Sequence, residues 1–453
     1  MIFDLIIQNG KVVTLNGICE LSLIVKDGII VAMTSDMEGL EAIKIIDAEG
    51  MYVLPGGVEP HTHIGLYLGY ENDLVSETRS AAAGGITTMF HFAQTTESYK
   101  EVLDDMVNKV EELACVDVAF NAVVNNPDHL AEIEYLIEKG IKSFKFFTAY
   151  KGDDGKALNL FGSDEGTLLE GFTKMAKLGA LPMVHAECQG VYLKWQEKFK
   201  GQQDLSAFSL GRPWQAEDLD IRTACRIAEL AECPLYIVHL AYGGGIGIVE
   251  DFRRRGNTVY IETCPHFLTT DMTGKNLKEP FAIKVMPPVK TKQDSNMLWS
   301  GIAAGAIQTI GTDHCTNMWE NKRGDGKDIW TAMSGFPGVA TRLPLILSEG
   351  VNKGLITIEK AVEILSTNPA KILGIYPKKG SIHPGSDADF VIVDLNMKKK
   401  VKAAELHSAC DYSPWDGWEL KGWPVKTILR GEIIMEDGQI HGKRGLGKFV
   451  RAS

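Results

Sequence analysis

From Val53 onward the chain repeats one device: a short apolar run, then a longer stretch whose apolar residues recur at helical spacing. That alternation is the signature of βαβ units around a parallel sheet. The runs begin at Val53 (VLPGGVEP), Ile86 (ITTMFHF), Val116 (VDVAFNAVV), Ile141 (IKSFKFF), Leu181 (LPMVHAE), Pro234 (PLYIVHL), Thr258 (TVYIETC) and Ile307 (IQTIGTD). Helical spacing separates several of them, as in the stretches from Leu130, Leu168 and Asp220. Eight parallel strands are what a (β/α)₈ barrel needs to close, and such a barrel absorbs about 250 residues. A chain of 453 residues therefore has room for one barrel and one smaller unit.

The two ends of the chain have a different texture. LIIQNGKVV and LIVKDGIIV predict strands with hairpin turns at Asn9-Gly10 and Asp27-Gly28. The stretch from Asp389 (DFVIVDL), followed by VKTILRGEIIMEDGQI with turns at Gly431 and Asp437-Gly438, repeats that style. Neither end is long enough to bury a core by itself. The expectation is a composite β-sandwich from residues 1–52 and 376–453, beside a barrel over 53–375. No repeat of solenoid length is present.

Charge removes several functional classes. Lys and Arg total 47 against 59 Asp and Glu, a formal net charge of -12, and no Lys/Arg-rich block offers a nucleic acid a basic face. The N-terminus lacks the positive start of a secretion signal, and no apolar run reaches roughly 18 residues, so a cytoplasmic protein without a membrane partner is expected. The 8 cysteines include no C-x-x-C pair, which argues against a zinc ribbon and a disulfide framework. Cys188, Cys264 and Cys315 fall near the residues discussed next, yet a catalytic thiol wants a dedicated base, and the histidines there have a better use.

In a barrel of this kind the active site lies where strands end at the C-terminal face. Strand one ends in Glu59-Pro60-His61-Thr62-His63, strand four carries Lys145, strand five ends at His185-Ala186-Glu187, strand six at His239 and strand eight at Asp313-His314. Side chains two apart on a strand point the same way, so His61 and His63 can both reach one cation. A single strand-end histidine is ordinarily a hydrogen-bonded structural residue; four of them with an aspartate on one face point to a metal centre. Lys145 lies in the apolar Ser143-Phe144-Lys145-Phe146-Phe147, where an unpaired ammonium is costly. Two resolutions stand open: a buried ion pair, or an amine of lowered pKa that enters covalent chemistry.

Taken together, LPGGVEPHTH, SFKFFTAY, VHAE, VHL, ETCPHF and GTDH, followed by NPAKILGI, GSIHPGSDADFVIVD and DYSPWDGWELKG, resemble the dihydropyrimidinase and hydantoinase group of the amidohydrolase superfamily over nearly the whole chain. The resemblance implies hydrolysis of a cyclic amide to an N-carbamoyl amino acid by a hydroxide bridging two divalent cations, zinc first among the candidates. It implies that Lys145 captures carbon dioxide and becomes a bridging carbamate. His61, His63 and Asp313 then match ligands of one cation, and His185 and His239 ligands of the other. Asp313 matches the proton shuttle, and Tyr150 the hydroxyl that meets the substrate carbonyl. Substrate contacts would fall at Tyr150, Met286, Ser334, Leu66 and Tyr67.

Relatives carry a serine where Met286 stands, an asparagine where Ser334 stands, and a serine after His239, where this chain reads Leu240-Ala241-Tyr242; these departures bear on the ring recognised. The apolar segment from Ile64 to Tyr70 reads either as packing against a neighbour or as the wall of a substituent pocket. His91, His266 and His314 read as packing or outer residues, and Glu187 either as catalytic by position or, the favoured reading, as a hydrogen-bonding support for His185. Allantoinases and dihydroorotases share the scaffold but place an arginine soon after the H-x-H pair, and none occurs between His63 and Asp73. Non-enzymatic assembly proteins of this fold have lost metal ligands that are retained here. By resemblance the chain forms a homotetramer or homodimer. Its aromatic Tyr412–Trp418 stretch, with Trp423 nearby, suits either a subunit contact or internal packing.

Overall fold

The parallel sheet expected from the alternating pattern is present, with its strands standing in chain order, in a computed structural model that describes residues 2–152, 155–156 and 159–453. Seven strands come first: Gly57–His63, Ile86–Ala93, Asp117–Val123, Ser143–Phe147, Leu181–His185, Leu235–Ile237 and Val259–Thr263. The eighth position is split into Thr309–Ile310 and His314–Cys315. Its first piece pairs with strand seven (Glu262 opposite Thr309) and its second with strand one (His314 opposite Thr62), so the sheet curls back on itself. The break between the pieces passes very close to strand one. A Cβ on Gly311 would lie 2.8 Å from both the Glu262 carboxyl and His61 Cβ, so only glycine permits that approach.

Crossover helices cover the sheet as the spacing predicts. Glu165–Leu178 buries Leu168, Phe172 and Met175, is capped by Asp164 accepting from the Thr167 N–H, and ends at left-handed Gly179. The stretch from Leu130 differs from expectation: a tight 3₁₀ turn over Pro127–Glu132 precedes a short helix, Ile133–Glu138.

Two expectations about the ends are corrected. Asn9-Gly10 is not a hairpin, because Ile2–Gln8 belongs to a four-stranded sheet and Lys11–Thr14 to a seven-stranded one. The turn is a corner between sheets, where a Cβ on Gly10 would come within 2.6 Å of Val53. The apolar run from Val53 is likewise divided: Tyr52–Pro55 pairs with Phe390–Val393 in the seven-stranded sheet, and the barrel strand starts only at Gly57. Asp27-Gly28 does form the two-residue hairpin, with positive φ at both residues.

The seven-stranded sheet joins N-terminal strands to Phe390–Lys400, Glu419–Leu429, Glu432–Glu436 and Gln439–Ile440. Leu5, Ile7 and Val25 of the smaller sheet share one core with Phe390, Ile392 and Ile428 of the larger. The tail returns to the barrel, where Val118 donates to the Lys448 carbonyl at 3.0 Å and Val450 donates to the Val118 carbonyl at 2.9 Å. Tyr412, Trp415 and Trp423 are buried within this one chain, and Trp415 Nε1 donates to Thr269 at 3.1 Å. Among the described residues no helix is long and apolar enough to cross a membrane.

Candidate active site

The strand ends deliver their polar residues to a cavity of about 730 Å³ lined by His63, Lys145, His185, His239 and Asp313. His61 Nε2 and His63 Nε2 each lie 3.1 Å from Asp313 Oδ1. One ligand atom from each of these three residues falls within 4.8 Å of the others. On the far side of the cavity, His185 Nδ1 and His239 Nε2 are 2.9 Å apart. Tyr150, His239 and Asp313 hold positive φ angles of 61°, 39° and 53°, conformations that cost such residues of order 1–3 kcal/mol each and that cluster at functional sites.

Lys145 stands between the two groups. It is fully buried, its Nζ has no hydrogen-bond partner among the described residues, and the rings of Phe92 and Phe147 lie 4.8 and 5.0 Å away. Of the two readings left open by the sequence, a buried ion pair is not what is found. Burial pulls its pKa down to about 8, although Asp313 and Glu262 work the other way. His61 Nε2 and His185 Nε2 are also buried without a hydrogen-bond partner. Buried polar atoms are nearly always satisfied in folded proteins, so three such atoms gathered at the strand ends fit a site built for divalent cations. Neutral imidazole is the ligating form. Burial, helped by Lys145 and His185, holds His239 well below its usual pKa. Burial also lowers His63 and His185 against nearby carboxylates.

Outer residues fix these side chains. Glu262 lies 2.6 Å from His61 Nδ1, accepts the His239 N–H at 2.9 Å and accepts the Tyr236 hydroxyl at 2.9 Å. A proton on Nδ1 shared with Glu262 leaves the His61 Nε2 lone pair free for a cation. Glu59 accepts the N–H groups of His61 and Thr312, both at 2.9 Å, tying strand one to the break in strand eight. Glu187 takes Arg212 Nε at 2.9 Å and lies 3.5 Å from His185 Nε2, the supporting place expected of it. Sequence reasoning gave Glu262 and Glu59 no role. Each is a carboxylate inside an apolar strand, the same signal that singled out Lys145.

The remaining histidines pack or brace. His91 Nδ1 accepts the Ile64 N–H at 3.1 Å, His314 bridges Glu77 at 3.0 Å and the Gly338 N–H at 2.9 Å, and His266 lies against Phe267 and Phe336. Ile64, Gly65, Leu66, Tyr67 and Tyr70 line the cavity, so that segment is a pocket wall. Met286 and Ser334 line it too. Tyr67 donates to the Ser334 carbonyl at 3.4 Å, and among the described residues the Tyr150 hydroxyl donates to the Met286 sulfur at 3.8 Å.

A curled parallel sheet that gathers histidines, an aspartate and an orphan lysine at its strand ends defines a hydrolase of the amidohydrolase class. The sequence pattern of the amidohydrolase family matches residues 236–434. D-hydantoinase of Geobacillus stearothermophilus is 36% identical over 459 residues, spanning 98% of this chain and 96% of that protein. L-hydantoinase of Paenarthrobacter aurescens is 33% identical over 99% of this chain and 98% of its own length. The solved structure of L-hydantoinase (dihydropyrimidinase) from Arthrobacter aurescens superposes with a TM-score of 0.94 at 32% identity, covering 99% of this chain and all of that one. The chain belongs to the amidohydrolase family, in its hydantoinase and dihydropyrimidinase group.

Proposed function

We propose that this enzyme opens a 5-substituted hydantoin or a dihydropyrimidine to the N-carbamoyl amino acid. Membership of its group makes it a hydrolase of cyclic amides; the ring is this proposal. The observation that carries it is the convergence of His61, His63, His185, His239 and Asp313 around a buried amine with no partner. His61, His63 and Asp313 would hold one cation and His185 and His239 the other, with zinc fitting such nitrogen and oxygen donors. Lys145 Nζ would attack carbon dioxide, forming an N–C bond and releasing a proton, and the resulting carbamate would offer the cations an anionic ligand in place of the unpartnered amine. Two divalent cations supply an activated water and polarise the amide carbonyl.

The chain's own groups do the rest. Asp313, held well below the usual carboxylate range by His61 and His63 despite its burial, takes the proton of the attacking water and passes it to the leaving ring nitrogen. Burial pushes the Tyr150 phenol up, so it stays protonated and donates to the developing oxyanion. Met286 and Ser334 face the ring, while Leu66 and Tyr67 bound the space for its substituent. The division of labour follows: the barrel from Gly57 to residue 375 carries the chemistry, and a composite sandwich of the residues up to Pro55 and of 376–453 braces it. We also propose a homotetramer or homodimer in the cytoplasm, a reading that sedimentation showing only monomer at micromolar concentration would contradict.

The functional test is to incubate metal-loaded protein with dihydrouracil, 5-substituted hydantoins, allantoin and dihydroorotate and follow ring opening. Turnover of hydantoins or dihydrouracil is expected. Activity on allantoin alone would overturn the ring assignment.

A further inference from the structure

Behind the wall of the cavity that carries Met286 and Ser334 lies a lysine that the chemistry above does not use. Lys322 is fully buried, and its Nζ donates to the carbonyls of Lys284 at 2.7 Å, Met333 at 2.8 Å and Gly335 at 2.7 Å. Burial presses Lys322 well below its ordinary pKa, yet three carbonyl acceptors need three N–H protons, which only the ammonium has, and here all three go to main chain. So deep a cation is costly unless every proton is accepted, so these three carbonyls must converge on one point.

What they bring together is the substrate side of the cavity. Lys284 precedes Val285-Met286, while Met333 and Gly335 flank Ser334; Val285, Met286, Ser334 and Gly335 all line the cavity. The Gly335 N–H donates to the Lys284 carbonyl at 3.0 Å, and Asn317 Nδ2 gives the Gly335 carbonyl a second donor at 3.3 Å. Gly335 has φ of 86°, and a Cβ there would meet Cys315 Sγ at 2.2 Å. The segment is thus held from both sides. In a planar trans peptide the carbonyl and the N–H point in opposite directions. With the Met333 carbonyl turned to Lys322, the Ser334 N–H is turned away from it. An ammonium on the carbonyl also polarises the peptide and strengthens its N–H as a donor.

We infer that Lys322 is a positioning residue for ring recognition: it fixes the main chain of Val285–Met286 and Ser334–Gly335 and aims the Ser334 N–H at a ring carbonyl. This rests on the proposed function, and it accounts for how recognition survives a methionine at 286 and a short serine at 334. The test uses full-length, metal-loaded protein and the ring that wild type turns over best. Lys322→Met is expected to raise KM about tenfold or more with kcat changed by less than about threefold and with metal content equal to wild type. A folded, metal-loaded Lys322→Met enzyme with wild-type KM overturns the inference. If that variant does not accumulate, Lys322→Arg, which keeps the charge but displaces its donors, and Asn317→Ala, which removes one donor from the Gly335 carbonyl, decide. Both are expected to raise KM by smaller factors, and unchanged KM in both overturns it. A wild-type enzyme that opens none of the rings sinks the functional reading and this inference with it, whereas wild-type turnover with unmoved KM in the variants sinks this inference alone.

Discussion

Two of the places where buried charge gathers in this protein differ in how it is answered. At the floor of the barrel, Lys379 Nζ lies 2.5, 2.8 and 2.9 Å from Asp117, Asp387 and Asp389, and Arg430 lies 2.5 Å from Asp117. At the rim, among the described residues, Lys145 Nζ has no partner, and His61 Nε2 and His185 Nε2 lie near Asp313 and Glu187 without forming a hydrogen bond. Both places bring ligand atoms within 4.8 Å of one another. A cluster of acids is therefore a poor guide to a metal site, since the floor already holds its cation in the form of an ammonium. The unanswered atoms at the rim are the better guide.

The sharpest way to break this contrast is to remove the two lysines. Lys145→Ala is expected to lose bound metal and turnover together, by more than the roughly 10–100-fold typical of an outer-shell partner, while the protein stays folded. Metal analysis beside a ring-opening assay checks it, and a variant with two tightly held cations and normal turnover refutes the carbamate. Lys379→Met should do the reverse. Removing the ammonium that three buried carboxylates share costs about 3–5 kcal/mol, read as a lowered midpoint of denaturant unfolding, with metal content unchanged in the folded fraction. Loss of metal from that variant would show the floor and rim to be one system. Tyr150→Phe is the third and smaller step: kcat lower by about 10²–10³-fold, with folding and metal as in wild type. Equal kcat would remove the oxyanion role.

Much of the rim is legible from sequence because its signals are local. His61 and His63 are two apart on one strand, and Lys145 interrupts an apolar run. The carboxylate that orients His61 is not local: Glu262 is 201 residues away, and only the closing of the sheet brings it there. The terminal sheets were harder for a similar reason. Asn9-Gly10 has the right residues for a tight turn, but turn chemistry does not say which sheet receives the next strand. The run from Val53 crosses from one sheet to the other at Gly56, where a Cβ would collide with Thr87, and nothing in a continuous apolar run marks such a corner. Trp415 reads equally as a subunit contact or as internal packing until Thr269 is seen to accept its N–H.

Acid response gives the finest test of the floor, because its carboxylates oppose one another. Burial works to raise Asp117, but Lys379 and Arg430 outweigh it and hold that group below its ordinary value of 3.8. A carboxylate lowered in the folded state lends stability above its unfolded pKa and loses it as pH falls through the folded one. Asp389 is raised instead, since burial and the nearby Asp117 prevail over Lys379. Its contribution has the other sign: present below the unfolded pKa, and lost as pH rises through the folded pKa. On acidification one term weakens the fold while the other supports it, so the floor of the wild-type protein should give a shallow net response below about pH 5. Asp389→Asn removes the supporting term and should steepen the acid loss of stability, and Asp117→Asn should flatten or invert it. Unfolding midpoints measured from neutral pH down to about pH 3 distinguish the two. Equal slopes in both variants would mean that Lys379 does not couple the pair.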